Sequence, residues 1–144
     1  MIESVKPYDD ETICGTDYLI RRVSPIQHIV EDDKGNRRIS TKLFSPSSGK
    51  NGGMSVDIRK LIEGDGVDVR SFVTTPIYTA SVQFAVGCAR DAGLMVGATP
   101  KKENPYHGDV WRSGNGSNKF TGKQKKALQN GSQWLVEIKG VSIA

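Results

Sequence analysis

The sequence predicts one α+β domain with a mixed or mostly antiparallel sheet and short helices, and three observations predict it. Runs rich in β-branched and aromatic residues alternate with short helix signals, and the connections are too short for the crossovers of a dozen or more residues that parallel strands require. The 144 residues are 36% apolar, enough for one buried core and too few for two. No apolar run approaches ~20 residues and no internal period is visible, which excludes a membrane span and the solenoid and propeller architectures.

Each element follows from local chemistry. Tyr18-Leu19-Ile20-Arg21-Arg22-Val23 is a β-prone run, and Ser24-Pro25 supplies a cap and a first helical position for a single turn through Gln27-His28-Ile29. Asp32 to Asn36 is a turn by composition, and a second strand is expected from Arg37 to Thr41. Residues 45 to 53 have almost nothing to bury and are expected to form a flexible surface loop. Met54-Ser55-Val56-Asp57-Ile58 alternates with period two and leads into a short helix, Arg59 to Glu63, stopped at Gly64 and Gly66. Residues 77 to 86 form the strongest strand signal and are expected at the sheet centre. A helix at Cys88 to Ala92 closes at Gly93, and Leu94 to Gly97 extends again. Asn104 to Asp109 reads as a polar and aromatic loop opening into Val110-Trp111, with a second flexible loop near 113 to 119. Thr121 and Gln124 have capping-box spacing, starting a helix from Gly122 to about Gln129, and Trp134 to Ile138 is the last strand. The expected core includes Val82, Phe84, Val86, Leu94, Val96, Leu128, Leu135, Val136 and Ile138.

Cys14 and Cys88 lie 74 residues apart, with no second Cys or His at ligand spacing, so free thiols and no metal site are expected. Asp9-Asp10-Glu11 follows the N-terminal stretch where a leader would need a basic and then an apolar region, which predicts an unprocessed, cytoplasmic protein. Charge is distributed unevenly. Residues 1 to 34 hold eight acids against four bases, whereas residues 101 to 126 hold seven bases against Glu103 and Asp109. Such an imbalance bears on partners more than on fold.

Two function classes follow. In the first, the protein is a small binding module whose basic face, Lys101, Lys102, Tyr106, Arg112, Lys119, Lys123, Lys125 and Lys126, meets phosphate groups, nucleic acid, a nucleotide or an acidic protein partner. Lys123, Lys125 and Lys126 fall in the first turns of a helix, where the macrodipole disfavours cations, so acids of the N-terminal third or an external anion should answer them. In the second class the protein is a nucleotide- or RNA-directed enzyme. There His28 and His107, the only histidines, act as acid and base while Arg21 or Arg22 neutralises phosphate. Ser48-Gly49-Lys50 does not complete a phosphate-binding loop, because Phe44 stands where its first Gly belongs and Asn51 where the metal-holding Ser or Thr belongs.

Arg21-Arg22 on a first strand, Ile39-Ser40-Thr41 on a second and Glu137 on the last resemble the Arg, Ser-Thr-Ser and Glu order of ADP-ribosyltransferase-like folds. The resemblance covers three short patches. It implies NAD held at these residues and an oxocarbenium-like transition state at the ribose. The chain departs from the pattern where Arg22 and Ser40 stand only 18 residues apart, and where Leu135 precedes Val136-Glu137 in place of a Glu or Gln. Apart from NAD under this resemblance, the residues call for no cofactor.

Overall fold

The computed structural model describes residues 5–49, 51–112 and 118–144. Among the described residues nine strands form: β1 (Tyr18–Val23), β2 (Ile29–Glu31), β3 (Arg37–Ile39), β4 (Met54–Ile58), β5 (Ala80–Ala85), β6 (Leu94–Ala98), β7 (His107–Arg112), β8 (Gln133–Val136) and β9 (Val141–Ser142). The helices are α1 (Arg59–Gly64), α2 (Val69–Val73), α3 (Val86–Asp91) and α4 (Gly122–Gly131), with a 3-10 turn at Thr41–Leu43. Six strands pair antiparallel in the order β6-β7-β4-β1-β5-β8, and β2-β3-β9 make a small mixed sheet. The result is the expected α+β fold.

Strand alternation sends side chains to two faces of the large sheet. On one face, Leu19 pairs across to Phe84 and Ile58, and Met54 to Val110. These join Val23, Val56, Val82, Leu94 and Val96 in the main core, covered by Val86 and Ala89 of α3, Leu128 of α4 and Leu43 and Phe44 of the 3-10 turn. Ile20, on the opposite face, packs with Ile62, Val69, Val73, Tyr106 and Leu135 in a smaller cluster beneath α1 and α2.

Several expectations need correction. The strand at 77 to 86 begins only at Ala80, and β5 lies fifth in the order, next to the edge strand β8; β4 and β1 occupy the centre. Continuous burial of β5 comes from helices over one face and buried polar neighbours on the other, a condition that its apolar run cannot distinguish from centrality. His107 to Arg112 is a strand paired on both sides, where composition suggested a loop up to Asp109. Gly108 looks like a turn residue but serves close packing, since a Cβ there would meet Ile58 Cδ1 at 2.9 Å and Gly97 O at 3.0 Å. The last strand ends at Val136, leaving Glu137 and Ile138 beyond it, and β2, β9 and α2 gave no clear sequence signal. Val136 and Ile138 are only partly buried, while the other expected core residues are buried. The described residues of the 45–53 stretch form no helix or strand, yet Ser47 and Ser48 N–H both donate to Gly53 O and buried Ser48 Oγ lies 2.6 Å from Ser55 Oγ. Lys50 and the 113–117 part of the other expected loop lie outside the described residues.

The capping box forms as read: Gln124 N–H donates to Thr121 Oγ1 at 3.1 Å, and Thr121 N–H donates to Gln124 Oε1 at 2.9 Å. No acid stands in the first turn of α4. The N-terminal acids go elsewhere, Asp9 to Arg90 at 3.1 Å and Asp17 to Lys60 at 3.7 Å. Among the described residues no carboxylate lies within 4.0 Å of Lys123, Lys125 or Lys126. Thr121→Ala should therefore cost about 1 kcal/mol, read as a fall of about 2–4 °C in melting temperature. Replacing the three lysines together by Glu should raise it, by relieving repulsion from the helix N-terminus. A reversal that melts earlier would show that the lysines contribute to the fold.

Candidate functional site

The second face of the large sheet carries polar residues in register. Ser55 stands opposite Asp109, Asp57 opposite His107 and Ile20, and Arg22 opposite Ser81. Asp57, Ser81, Gln83, His107 and Asp109 are all buried there. β1 pairs with β4 only at Leu19–Ile58 and Ile20–Asp57, so the two strands part beyond that point. A cleft of about 500 Å³ opens around this parting, bordered by Arg21, Arg22, Asp57, Phe72, Tyr78 and Lys101, with His28, Asn104 and His107 also in its wall. All four of the residues proposed from sequence for catalysis, His28, His107, Arg21 and Arg22, thus border one cavity.

Much of the lining is already committed. Arg22 grips Asp57 through two bonds, Nε to Oδ2 at 2.9 Å and Nη2 to Oδ1 at 3.0 Å, and its guanidinium lies 5.5 Å from the Phe72 ring centre. Asn104 Nδ2 adds a third donor to Asp57 Oδ1 at 2.8 Å, while Asn104 Oδ1 accepts from Tyr106 N–H. Lys101 and Asn104 exchange backbone bonds of 2.9 and 3.1 Å, making the Lys101–Asn104 segment a tight hairpin at the cleft wall. These bonds neutralise and hold Asp57.

Arg21 differs from its neighbour. Its Nε donates to Leu43 O at 2.8 Å and its Nη1 to Ser55 O at 3.0 Å, so it bridges the parted strands through neutral carbonyls and keeps its charge. Burial pulls its guanidinium down to about 10, with Tyr78 and Asp57 opposing the shift, and it remains protonated at neutral pH. Lys101 also has no carboxylate partner among the described residues.

His107 is held from behind. Its Nδ1 lies 3.1 Å from Thr99 O and 2.9 Å from Thr99 Oγ1, and since a carbonyl only accepts, Nδ1 carries the proton. Thr99 Oγ1 in turn donates to Asp109 Oδ2 at 2.6 Å, which makes Thr99 the link between the imidazole and a carboxylate with no exposed surface. Nε2 is left as a lone-pair acceptor, buried and without a partner among the described residues; Asp109 Oδ1 is in the same condition. Burial, followed by the charge of Lys101, lowers the His107 pKa, against the opposing pull of Asp109. The ring is neutral at pH 7.

His28 has the opposite arrangement. The Ser24-Pro25 turn forms, with Ser24 O accepting from both Gln27 N–H and His28 N–H, but it stops before Ile29, which opens β2 instead of continuing a helical turn, and the ring folds back so that Nδ1 accepts from Ser24 N–H at 2.9 Å. Its single lone pair is used, leaving Nε2–H as a donor. Burial and then the charge of Arg21 bring its pKa to about 4. A neutral donor of this kind does not take a proton at pH 7, so the acid and base pair read from sequence reduces to one candidate base, His107.

The basic 101–126 segment does not make one face. Lys101 borders the cleft, whereas Tyr106 is buried, its hydroxyl donating to Asp65 Oδ2 at 2.8 Å and its ring edge-on to Phe72. Arg112 donates to Lys119 O, and Lys123 borders a separate groove between α3 and α4. Lys102 is exposed on the hairpin. Of the patches resembling ADP-ribosyltransferases, Ser40 caps the 3-10 turn and Glu137 follows β8; neither lines the cleft with Arg21 and Arg22. Cys14 and Cys88 are free, no group of acids, Cys and His among the described residues could hold a metal ion, and no helix among them is long and apolar enough to cross a membrane. Sequence reasoning missed Asp57, Thr99 and Asp109. Asp57 alternates with apolar neighbours just as a solvated strand residue does, so no local signal marks it.

Comparison with protein-family models, curated proteins and solved structures returns no match, and any function has to be argued from the site's own chemistry.

Two outcomes follow from these bonds. Asp57→Asn leaves Arg22 facing a neutral amide in a mostly buried setting and should destabilise the protein by about 2–4 kcal/mol in urea titration. Both histidines bind protons more weakly folded than unfolded, so their stabilisation is complete above the unfolded value of 6.5 and falls away as pH drops, for His28 towards about 4. His28→Asn, whose Oδ1 keeps an acceptor for Ser24 N–H, should flatten that slope relative to wild type. An unchanged slope would show that His28 is not the buried neutral group described.

Proposed function

We propose that the protein is a nucleotide-directed enzyme in which the cleft holds a phosphate ester and His107 takes a proton from the reacting group. The observation that carries this reading is the His107 Nε2 lone pair. It is buried and unpaired on a residue that borders the cleft, whose uncommitted groups are otherwise mainly donors. Leaving such an acceptor unmet costs about 1–3 kcal/mol, and folds retain that cost mostly where a ligand or a reaction uses the group.

The roles follow from the bonds already made. The free N–H groups of Arg21, the Lys101 ammonium and the His28 Nε2–H can converge on an anion, and in a partly dry cavity such charge-assisted bonds are strong. Phe72 and Tyr78 offer ring surface for a base, and a volume of about 500 Å³ suits a ligand of nucleotide size. As His107 accepts a proton at Nε2, the imidazolium forms 3.8 Å from the Asp109 carboxylate, with Thr99 passing the interaction between them. The buried Asp109 carboxylate, which accepts from Thr99 Oγ1 and from Asn51 Nδ2 at 3.1 Å, favours that charge state, which lowers the cost of the proton transfer.

The alternative, a binding module using the 101–126 basic face, draws on the unanswered lysines of α4. It has less support because the segment is divided between the cleft, the interior and the helix on the far face of the sheet.

Calorimetric titration of adenosine and adenosine monophosphate, with product analysis, tests the reading. The monophosphate should bind at least ~10-fold more tightly, with an advantage that shrinks in high salt and is lost in Arg21→Gln. His107→Gln should slow turnover by about 100-fold or more while affinity stays within a few-fold. Equal affinity for nucleoside and nucleotide would remove the phosphate site and the proposal with it.

A further inference from the structure

Resting on the nucleotide reading of the cleft, we infer that the substrate is a ribonucleotide phosphodiester, recognised by its 2′-hydroxyl at His107 Nε2 and cleaved by attack of that hydroxyl on the adjacent phosphorus. The inference comes from matching donors and acceptors. Among the described residues, the lining groups that make no bond inside the protein include the remaining N–H groups of Arg21 and of Arg22, whose charge Asp57 already answers, Lys101 Nζ, His28 Nε2–H, the Ser47 hydroxyl hydrogen, Gln27, the Tyr78 hydroxyl, the Glu103 carboxylate and His107 Nε2. Gln27 and Glu103 are exposed at the rim. The interior set is therefore a group of donors, two of them cations apart from Arg22, beside one buried acceptor. Its complement is an anion carrying one neighbouring hydroxyl. A ribose 3′-phosphodiester has that pairing built in, and its deoxy counterpart lacks the hydroxyl. The cavity is open at one side and has room for about one nucleotide, so the rest of a strand can remain outside.

The step balances within these groups. The 2′-oxygen forms a bond to phosphorus as His107 Nε2 takes its proton, the bond from phosphorus to the 5′-oxygen breaks, and that oxygen leaves as an alcohol with a proton from solvent. The products are a 2′,3′-cyclic phosphate and a 5′-hydroxyl, and the imidazolium returns its proton to water. Arg21 and Lys101 stabilise the added charge on the phosphorane. His107 borders the cleft while Nε2 itself has no exposed surface, so the step requires the ring or its surroundings to shift when the substrate binds.

The experiment uses the full chain with a hexaribonucleotide, the same oligomer with a single 2′-deoxy position, and 3′-mononucleotides of both sugars, with products read by mass spectrometry. Cyclic phosphate ends should appear with the ribo-oligomer and be absent at the 2′-deoxy position. The ribo 3′-mononucleotide should bind ~10–100-fold more tightly than its deoxy form, because the deoxy sugar leaves Nε2 unpaired. His107→Gln prepared identically controls for contaminating nuclease, and Thr99→Val should move the acidic limb of the pH–rate profile, which a merely structural threonine would not do. Ribo and deoxy ligands that bind alike, with no cyclic phosphate formed, would overturn this inference and leave the nucleotide cleft standing. Failure of every nucleotide to bind would overturn both.

Discussion

A carboxylate buried near the middle of a β-sheet must be neutralised where it stands, and the pairing of Arg22 with Asp57 is the constraint on which the polar half of this protein depends. Asp57 is 3% exposed and takes three donors, two from Arg22 and one from Asn104. Those bonds join β1, β4 and the hairpin before β7 on the face away from the main core. They also fix where the cleft can lie, because β1 and β4 part immediately beyond the Ile20–Asp57 pair. Arg21 then spans the gap, satisfying Ser55 O and Leu43 O while its own charge goes unanswered.

The division of labour between the two arginines follows from strand geometry. Adjacent residues of a strand face opposite sides, so Arg22 reaches the polar face and Arg21 starts from the apolar one. Only the parting of the strands lets both guanidiniums border the same cavity. The same alternation orders β7, where His107 and Asp109 share a face with Gly108 between them, and Thr99 beyond β6 closes the link between the two side chains. Asp109 does for His107 what Asp57 does for Arg22, with a hydroxyl interposed. The difference matters chemically, because a direct ion pair would hold a permanent charge, whereas the threonine link leaves the imidazole neutral and its outer nitrogen buried and unpaired.

Parts of this arrangement were legible beforehand. The capping box of α4, the β4 to α1 transition and the Ser24-Pro25 turn depend on neighbours within four residues, and each forms, the turn ending short of Ile29. Gly93, with φ of 83°, ends α3 where an L side chain would be strained. Reading failed where burial depends on remote partners. Ser55 and Asp57 alternate with Met54, Val56 and Ile58 as they would on a solvated sheet face, and His107-Gly108-Asp109 has the composition of a turn. Neither pattern contains the information that β1, β6 and a loop will cover it.

By itself, then, the sequence determined the α+β class, the glycine stops of α1 and α3, the cap of α4 and part of the apolar set that makes the main core, because propensity, capping and periodicity act over a few residues. Tertiary structure alone decided that β4 and β1 are central, that His28 spends its lone pair on Ser24 while His107 keeps its own, and that Arg22 is paired with a carboxylate while Arg21 bonds only neutral carbonyls. Those outcomes turn on groups dozens of residues apart in the chain, and the protonation and pairing of a polar group are set by whatever the fold places within about 3 Å of it.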